Sequence, residues 1–290
     1  MISAALVKEL REITGAGMMD CKRALVETKG NMEEAVTWLR EKGIMKAAKK
    51  ESRIAAEGVC AYAIAGNKAV VYEVNAETDF VAKNQKFLDL VSEIGNAILK
   101  SDAKNDEEAL EAKTAEGTVK DLVIAATATI GEKISLRRIS VFTKTDNQVF
   151  GAYSHMGGKI VALSVLDGNN AEVAKDVCMH VAAMSPKYLD RSKVDADFLA
   201  SETEILRQET LNEGKPENIV DKIVVGKVQK MLKTICLVDQ MFVKNQDITV
   251  GQYVKDNKSN IVTYIRLEVG EGIEKRKDDF VAEVMAAVNN

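Results

Sequence analysis

The chain has 290 residues, 46% of them apolar and 29% charged, with a formal net charge of −4. That length suits two domains, or three if one is small, and the mildly acidic balance argues against a dedicated nucleic-acid binder, which usually carries a basic surplus. No run of about 18 apolar residues exists to span a membrane, the N-terminus turns charged too early for a signal peptide, and the four cysteines at 21, 60, 178 and 236 form no Cys-x-x-Cys pair; reduced, core-packed thiols in a cytoplasmic protein are expected.

Residues 1–43 read as a small helical bundle. Ser3 can cap a first helix that carries Leu6, Leu10 and Ile13 on one face. The stretch TGAG at 14–17 breaks it, and a second helix runs from Met18 to about Thr28, closed by Gly30. Asn31 caps a third, with Glu34 as its capping-box partner and Met32, Ala35, Val36 and Leu39 as its apolar stripe. Three such helices make a marginal core alone, which points to a module that presents a surface. Residues 44–57 mix alanines with Lys46, Lys49, Lys50 and Arg53. A solvated helical linker accounts for them; contact with a phosphate or a partner is the alternative.

From Gly58 the pattern turns to β. Val59–Ala65 and Lys68–Val74 flank Gly66 and Asn67, a hairpin turn, and the second run reads as a buried strand. The segment NAETDFVAKN, 75–84, follows at the strand exit. A helix is expected over about 84–99, with Phe87, Leu88, Val91, Ile94 and Ile98 at helical spacing. Residues 101–117 are acidic and weakly patterned. A helix over about 119–130 and a strand over 133–143 come next. The plan then recurs, with a hairpin of 149–154 and 159–166 around Met156-Gly-Gly158, a helix over about 170–184, and a strand over 261–269 whose YIRLEV echoes SLRRISV at 135–141. The expected class is α+β, two related units with small antiparallel sheets and packed helices. An insertion over about 186–232 carries two apolar helical stripes joined at Gly214-Lys-Pro216, an αα-hairpin whose stripes pack on each other or on a second copy.

Reactive chemistry is missing from this pattern. There is no phosphate-binding glycine loop after a strand and no nucleophile elbow. Of the two histidines, His180 sits on an apolar helix face and reads as a satisfied core residue, whereas His155 lies in the second hairpin turn, where contact with another molecule is the better reading than catalysis. No cluster has zinc-ligand spacing. No cofactor and no metal is expected, and the chain looks like one that binds rather than reacts.

That leaves Asp79 and Phe80, an acid and a phenyl ring at a strand exit. Phe80 either tucks into the core while Asp79 caps the next helix, or the pair protrudes as an anchor at a partner surface. Here the motifs bear on the choice. LREITGAGMMDCKRAL (10–25), KAAKK (46–50), EVNAETDFVAKN (73–84), IGEKISLRR (130–138), HMGGKI (155–160), MHVAAMSP (179–186), VDQMFVKN (238–245) and Tyr264-Ile-Arg266 before LEVGEGIEK (267–275) resemble the bacterial elongation factor Ts family, in order and over nearly the whole chain. The likeness is weakest across 101–117 and 187–215.

The resemblance implies a nucleotide exchange factor, not an enzyme, whose partner is the GTPase elongation factor Tu. It implies an N-terminal three-helix (UBA-like) domain and linker at 1–54, core subdomains at 55–145 and 146–270, a helical hairpin used in homodimerisation, and a C-terminal helical module at 271–290. It places Asp79, Phe80, Val81 and Ala82 at the magnesium site of the GTPase. Met18, Met19 and His155 are the secondary contacts to expect, although Met18 and Met19 also suit a core. No direct nucleic-acid or membrane contact is expected. An RNA-binding adaptor using the 46–53 segment and a metabolic enzyme with an unrecognised site are the rival classes.

Overall fold

The computed structural model describes residues 2–274, so all but the first four residues of the C-terminal helical module expected at 271–290 lie outside them. α1 (Ala4–Thr14), α2 (Met18–Glu27) and α3 (Met32–Glu41) pack around Leu10, Cys21, Leu25, Ala35 and Leu39, all fully buried. The buried face of α1 is Val7, Leu10 and Thr14, a three–four spacing that leaves Ile13 on its shoulder and exposed. At Asn31 the box closes differently from expectation. Asn31 Oδ1 accepts the Glu34 N–H at 3.2 Å, but Glu34 takes the Asn31 side-chain amide, because the Asn31 N–H is already given to Thr28 O.

In the basic segment only α4 (Ile44–Ala48) is helical. Lys50 donates to Gly131 O at 2.5 Å and Arg53 pairs with Glu77 at 3.3 Å, so the linker is strapped to the body rather than solvated along its length. Gly43, at φ 72°, lets α4 close on the body: a Cβ there would stand 2.6 Å from the Ala128 Cβ.

The first unit opens with the hairpin β1 (Glu57–Ala65) and β2 (Lys68–Ala76). A one-turn helix α5 (Asp79–Ala82) and the long α6 (Gln85–Lys100), capped by Asn84, follow. The weakly patterned acidic stretch holds α7 (Asp106–Leu110) and a two-rung hairpin of β3 (Lys113–Thr114) and β4 (Gly117–Thr118). A Thr118–Asp121 capping box starts α8 (Val119–Ile130), and β5 (Ser135–Thr143) returns beside β2.

The second unit repeats this with the hairpin β6 (Gln148–His155) and β7 (Ile160–Asp167), then α9 (Ala171–Met184). The insertion is an antiparallel pair, α10 (Ala196–Asn212) and α11 (Glu217–Ile235), the latter running three residues past the expected end at 232. Short β8 (Met241–Phe242), β9 (Asn245–Thr249) and α12 (Val250–Asp256) lead to β10 (Asn260–Glu268). Both sheets are antiparallel and share one plan, β1-β2-β5 and β6-β7-β10, with the second hairpin strand central. The echo between YIRLEV and SLRRISV reflects equivalent third strands, and the α+β class with two related units holds.

The sheets stack on each other. Cys60, Ala69 and Val71 from one meet Val161, Leu163 and Val165 from the other. Outer faces are covered by α6 and α8 on one side and α9 on the other. β2 and β7 are therefore buried on both faces, which is why they read as continuous apolar runs instead of alternating ones. Under α6, Tyr72 donates to Val91 O at 2.7 Å, and it fits there because position 95 is glycine; a Cβ would lie 2.2 Å from the tyrosine oxygen.

One carboxylate is sealed at the seam. Glu73 on β2 is wholly buried and accepts Arg137 Nε and Arg138 Nε at 2.7 Å each, Asn75 Nδ2 at 2.8 Å and the Gly270 N–H at 2.7 Å. Adjacent strand residues normally point to opposite faces. Both arginines reach one carboxylate because β5 slips register opposite Val71–Glu73 and Arg138 takes φ 54°, a bulge. Asp106 accepts the two N–H groups the bulge frees, Arg138 at 2.9 Å and Ile139 at 2.8 Å. The guanidiniums continue to Glu268 O, at the last residue of β10, and to Glu271 just beyond it. Burial pushes the Glu73 carboxyl up, but the Gly270 N–H, Arg137, Asn75 and Arg138 outweigh it and its pKa is lowered.

Removing one partner of a buried ion pair strands the others, so Glu73→Ala should lower stability by about 3 kcal/mol in urea unfolding. The figure sits at the low end because each guanidinium remains about a quarter exposed. A depressed folded pKa contributes stability above the ordinary glutamate range, about 4.3, that is lost as pH falls through the folded value. Glu73→Gln should flatten that part of the acid limb; an unchanged limb would remove Glu73 from the ledger.

Candidate partner-binding surface

The strand exit becomes a braced turn. β2 ends at Ala76, and Thr78, not Asp79, is the N-cap of α5: its Oγ1 accepts the Val81 N–H at 3.4 Å. The hydroxyl proton goes to Glu132 Oε1 at 2.7 Å, and the other Glu132 oxygen takes the Thr78 N–H at 2.9 Å. In the opposite sense Glu77 Oε1 accepts the Lys133 N–H at 2.6 Å and receives Arg53. Two consecutive residues after β2 are thus cross-tied to two consecutive residues after α8.

On this base Phe80 stands 82% exposed, the most exposed large apolar side chain described. Val81 is half-buried against the first core and Ala82 is buried, so these two anchor the turn from beneath. Asp79 points outward and pairs with Lys83 at 2.6 Å. Its carboxyl is held below the usual range, first by the Lys83 hydrogen bond, against desolvation, and then by the charges of Lys83 and Lys159. A phenyl left in water forgoes roughly 1.5–3 kcal/mol of burial. Hydrogen bonds to charged groups contribute about 1.5–3 kcal/mol each, enough for the brace to hold the ring out. The reading in which Phe80 enters the core is not what the chain adopts.

The second hairpin turn lies at the same end. Lys159, just after it, pairs with Glu57 at the start of β1, and Gly158 packs on Val59 and Cys60. His155 is exposed, 3.2 Å from the Tyr153 hydroxyl, and Met156 beside it is 73% exposed. Met156 was not singled out from sequence, although its place next to His155 in a turn was the available signal. Met18 and Met19 are 60% and 67% exposed at the start of α2, across the TGAG break from exposed Ile13. Their bundle docks on α8, through Lys120–Asp20 at 3.1 Å and Arg23–Asp121 at 3.0 Å, and not on the α5 turn.

Elsewhere the titratable groups are internal. His180 is fully buried, donates from Nε2 to Gln240 Oε1 at 2.9 Å and accepts the Val243 N–H at Nδ1; burial lowers its pKa. All four cysteines are buried and unpaired, and burial pushes Cys60 and Cys178 up to about 12. Among the described residues no group of three or more His, Cys, Asp or Glu is placed to hold a metal ion, and no helix is long and apolar enough to cross a membrane.

Fold and surface together define an α+β protein of duplicated sheet units that carries an aromatic on a rigid, outward turn. A family model described as Elongation factor TS matches residues 77–271. Relatives named Elongation factor Ts from Acholeplasma laidlawii and Lactiplantibacillus plantarum are each 54% identical, covering 99% and 100% of this chain and 99% of their own length. The chain belongs to the elongation factor Ts family of translation elongation factors.

Because Phe80 packs on almost nothing, Phe80→Ala should change unfolding free energy by less than about 0.5 kcal/mol. A larger loss in urea denaturation would mean that the ring is part of a core.

Proposed function

We propose that this chain is a guanine nucleotide exchange factor for elongation factor Tu, releasing GDP so that GTP can rebind. The observation that carries the reading is Phe80, 82% exposed on a turn that is tied down on both sides of its base. Family membership supplies the partner. A GTPase holds its nucleotide by backbone amides and a Mg²⁺ that bridges phosphate oxygens. A protein that prefers the nucleotide-free form must weaken nucleotide binding by the same coupling energy. Phe80 wedges between side chains that keep the magnesium site in register. Asp79 competes for the hydrogen bonds around the ion. Val81 and Ala82 form the floor that transmits the push. Loss of the ion leaves the phosphate charge uncompensated, and GDP departs.

Magnitudes require more than the wedge. Burying one phenyl gives roughly 1.5–3 kcal/mol, while a decisive shift between bound and free populations needs about 5.5 kcal/mol of differential affinity. The remainder comes from a second and third grip, at Met18 and Met19 on the bundle and at His155 with Met156 on the second turn. An interface of this sort buries on the order of 1,200 Å² or more in total. A brace that needs no ordering on contact keeps that gain from being spent on immobilising the loop. In the same reading the chain divides at 1–54, 55–145, 146–270 and 271–290. The hairpin α10–α11, which leaves Ile205, Ile219 and Val225 exposed, meets a second copy.

Stopped-flow release of a fluorescent GDP from elongation factor Tu tests this. Phe80→Ala should slow stimulated release at least tenfold with its fold intact, an effect equivalent to about 1.4 kcal/mol; a parental rate would refute the wedge. Replacing Met18 and Met19 together by Ser should instead raise the concentration needed for half-maximal stimulation several-fold, at an unchanged maximal rate. An unmoved half-saturation point would take the bundle out of the interface.

A further inference from the structure

The motif IGEKISLRR contains no residue of the contact surface, yet its second pair, Glu132 and Lys133, touches the turn that carries Phe80. α5 is a single turn of four residues, and a helix so short has no stability of its own. Its first N–H groups have no helical partner and depend on the cap. The cap is Thr78, whose one hydroxyl proton is committed to Glu132 at 2.7 Å, so that a lone pair faces the Val81 N–H. Glu132 also holds the Thr78 backbone at 2.9 Å, and a carboxylate accepting two donors in this way makes charge-assisted bonds with a fixed direction. The reverse tie from Lys133 N–H to Glu77, at 2.6 Å, prevents rotation about the single Thr78 attachment.

The same helix that ends at this brace also carries the bundle. Lys120 and Asp121 at the start of α8 pair with Asp20 and Arg23 of α2, two residues beyond Met18 and four beyond Met19. Ile124 joins the bundle core, Ala128 meets Gly43, and Gly131 receives Lys50. One rod of twelve residues therefore holds the bundle that bears Met18 and Met19 along its flank and leads, two residues past its C-terminal end, into the brace of the α5 turn.

We infer that Glu132 is a positioning residue for Phe80, acting through Thr78, and that α8 sets the spacing between the Phe80 turn and the Met18–Met19 surface. This rests on the exchange reading above. Glu132 touches no partner group in it; its role is to aim the ring.

The test separates aim from fold and from affinity. In stopped-flow GDP release from elongation factor Tu, Glu132→Ala and Thr78→Val should each lower the maximal stimulated rate by roughly ten- to a hundredfold, the scale of a misplacement near 1 Å. The concentration for half-maximal stimulation should stay within about twofold, since most of the grip lies elsewhere. Thr78→Ser keeps the hydroxyl and should restore the rate, whereas a role confined to stability would shift unfolding midpoint and half-saturation together. Amide exchange in Glu132→Ala should quicken over residues 78–83 and not over β2 or α6. If Phe80→Ala slows release while Glu132→Ala and Thr78→Val do not, the positioning role is wrong and the exchange reading stands. If none of the three slows it, the exchange reading has failed first. Should Glu132→Ala not fold, the contrast between Thr78→Val and Thr78→Ser decides alone.

Discussion

The buried carboxylate of Glu73 is the contact on which this architecture turns. A charge taken out of water between two sheets is costly unless every oxygen lone pair is used. Here the donors come from its own strand, from both arginines of a bulged neighbour and from the backbone just past β10. β2, β5 and the turn that follows β10, the last strand of the two-unit core, are thereby tied to one atom group. Apolar contact across the seam, from small residues such as Cys60, Ala69 and Val71, supplies adhesion without direction. Glu73 supplies the direction. It admits one register of β5 on β2 and one approach of the Gly270 turn.

The bulge at Arg138 is part of the same device. An unbroken strand would send one arginine to the seam and the other to the outer face. With the extra residue, both converge, and Asp106 absorbs the two N–H groups left over. A stretch that looks featureless in sequence, 101–117, thus has a definite task. Its short helix brings a carboxylate to a strand defect some thirty residues away in sequence.

Around this frame the molecule shows one habit repeatedly, carboxylates bound to backbone N–H groups at element ends. Glu73 takes Gly270, Asp106 takes the bulge, Glu132 takes Thr78 and Glu77 takes Lys133. Such bonds fix loops without needing apolar area, which suits a chain that must keep Phe80 and Met156 in water. The division of labour that follows is physical. In the proposed exchange reading, adhesive area sits on the bundle and the second turn, while the strand exit contributes a small, braced ring.

Much of this was legible in the chain itself. Periodicity and end signals located α6, α8 and α9 within a residue or two, and the end of the α10–α11 hairpin within three, because helix phase and capping are local. The burial of β2 was visible in its largely apolar run, and the repeated plan in two similar third strands. The acid–phenyl turn was singled out by its oddity, but its direction was not decided: the same letters serve a ring turned inward or outward. What chose was a pair of ties to Glu132 and Lys133, more than fifty residues downstream. Likewise Ile13 has the spacing of a core residue and is exposed, and Glu73 has the look of a surface acid and is sealed. Local pattern states how many faces of a segment are covered; only the packed chain states by what, since the partners of a buried charge or an outward ring are set by contacts that no short window of sequence contains.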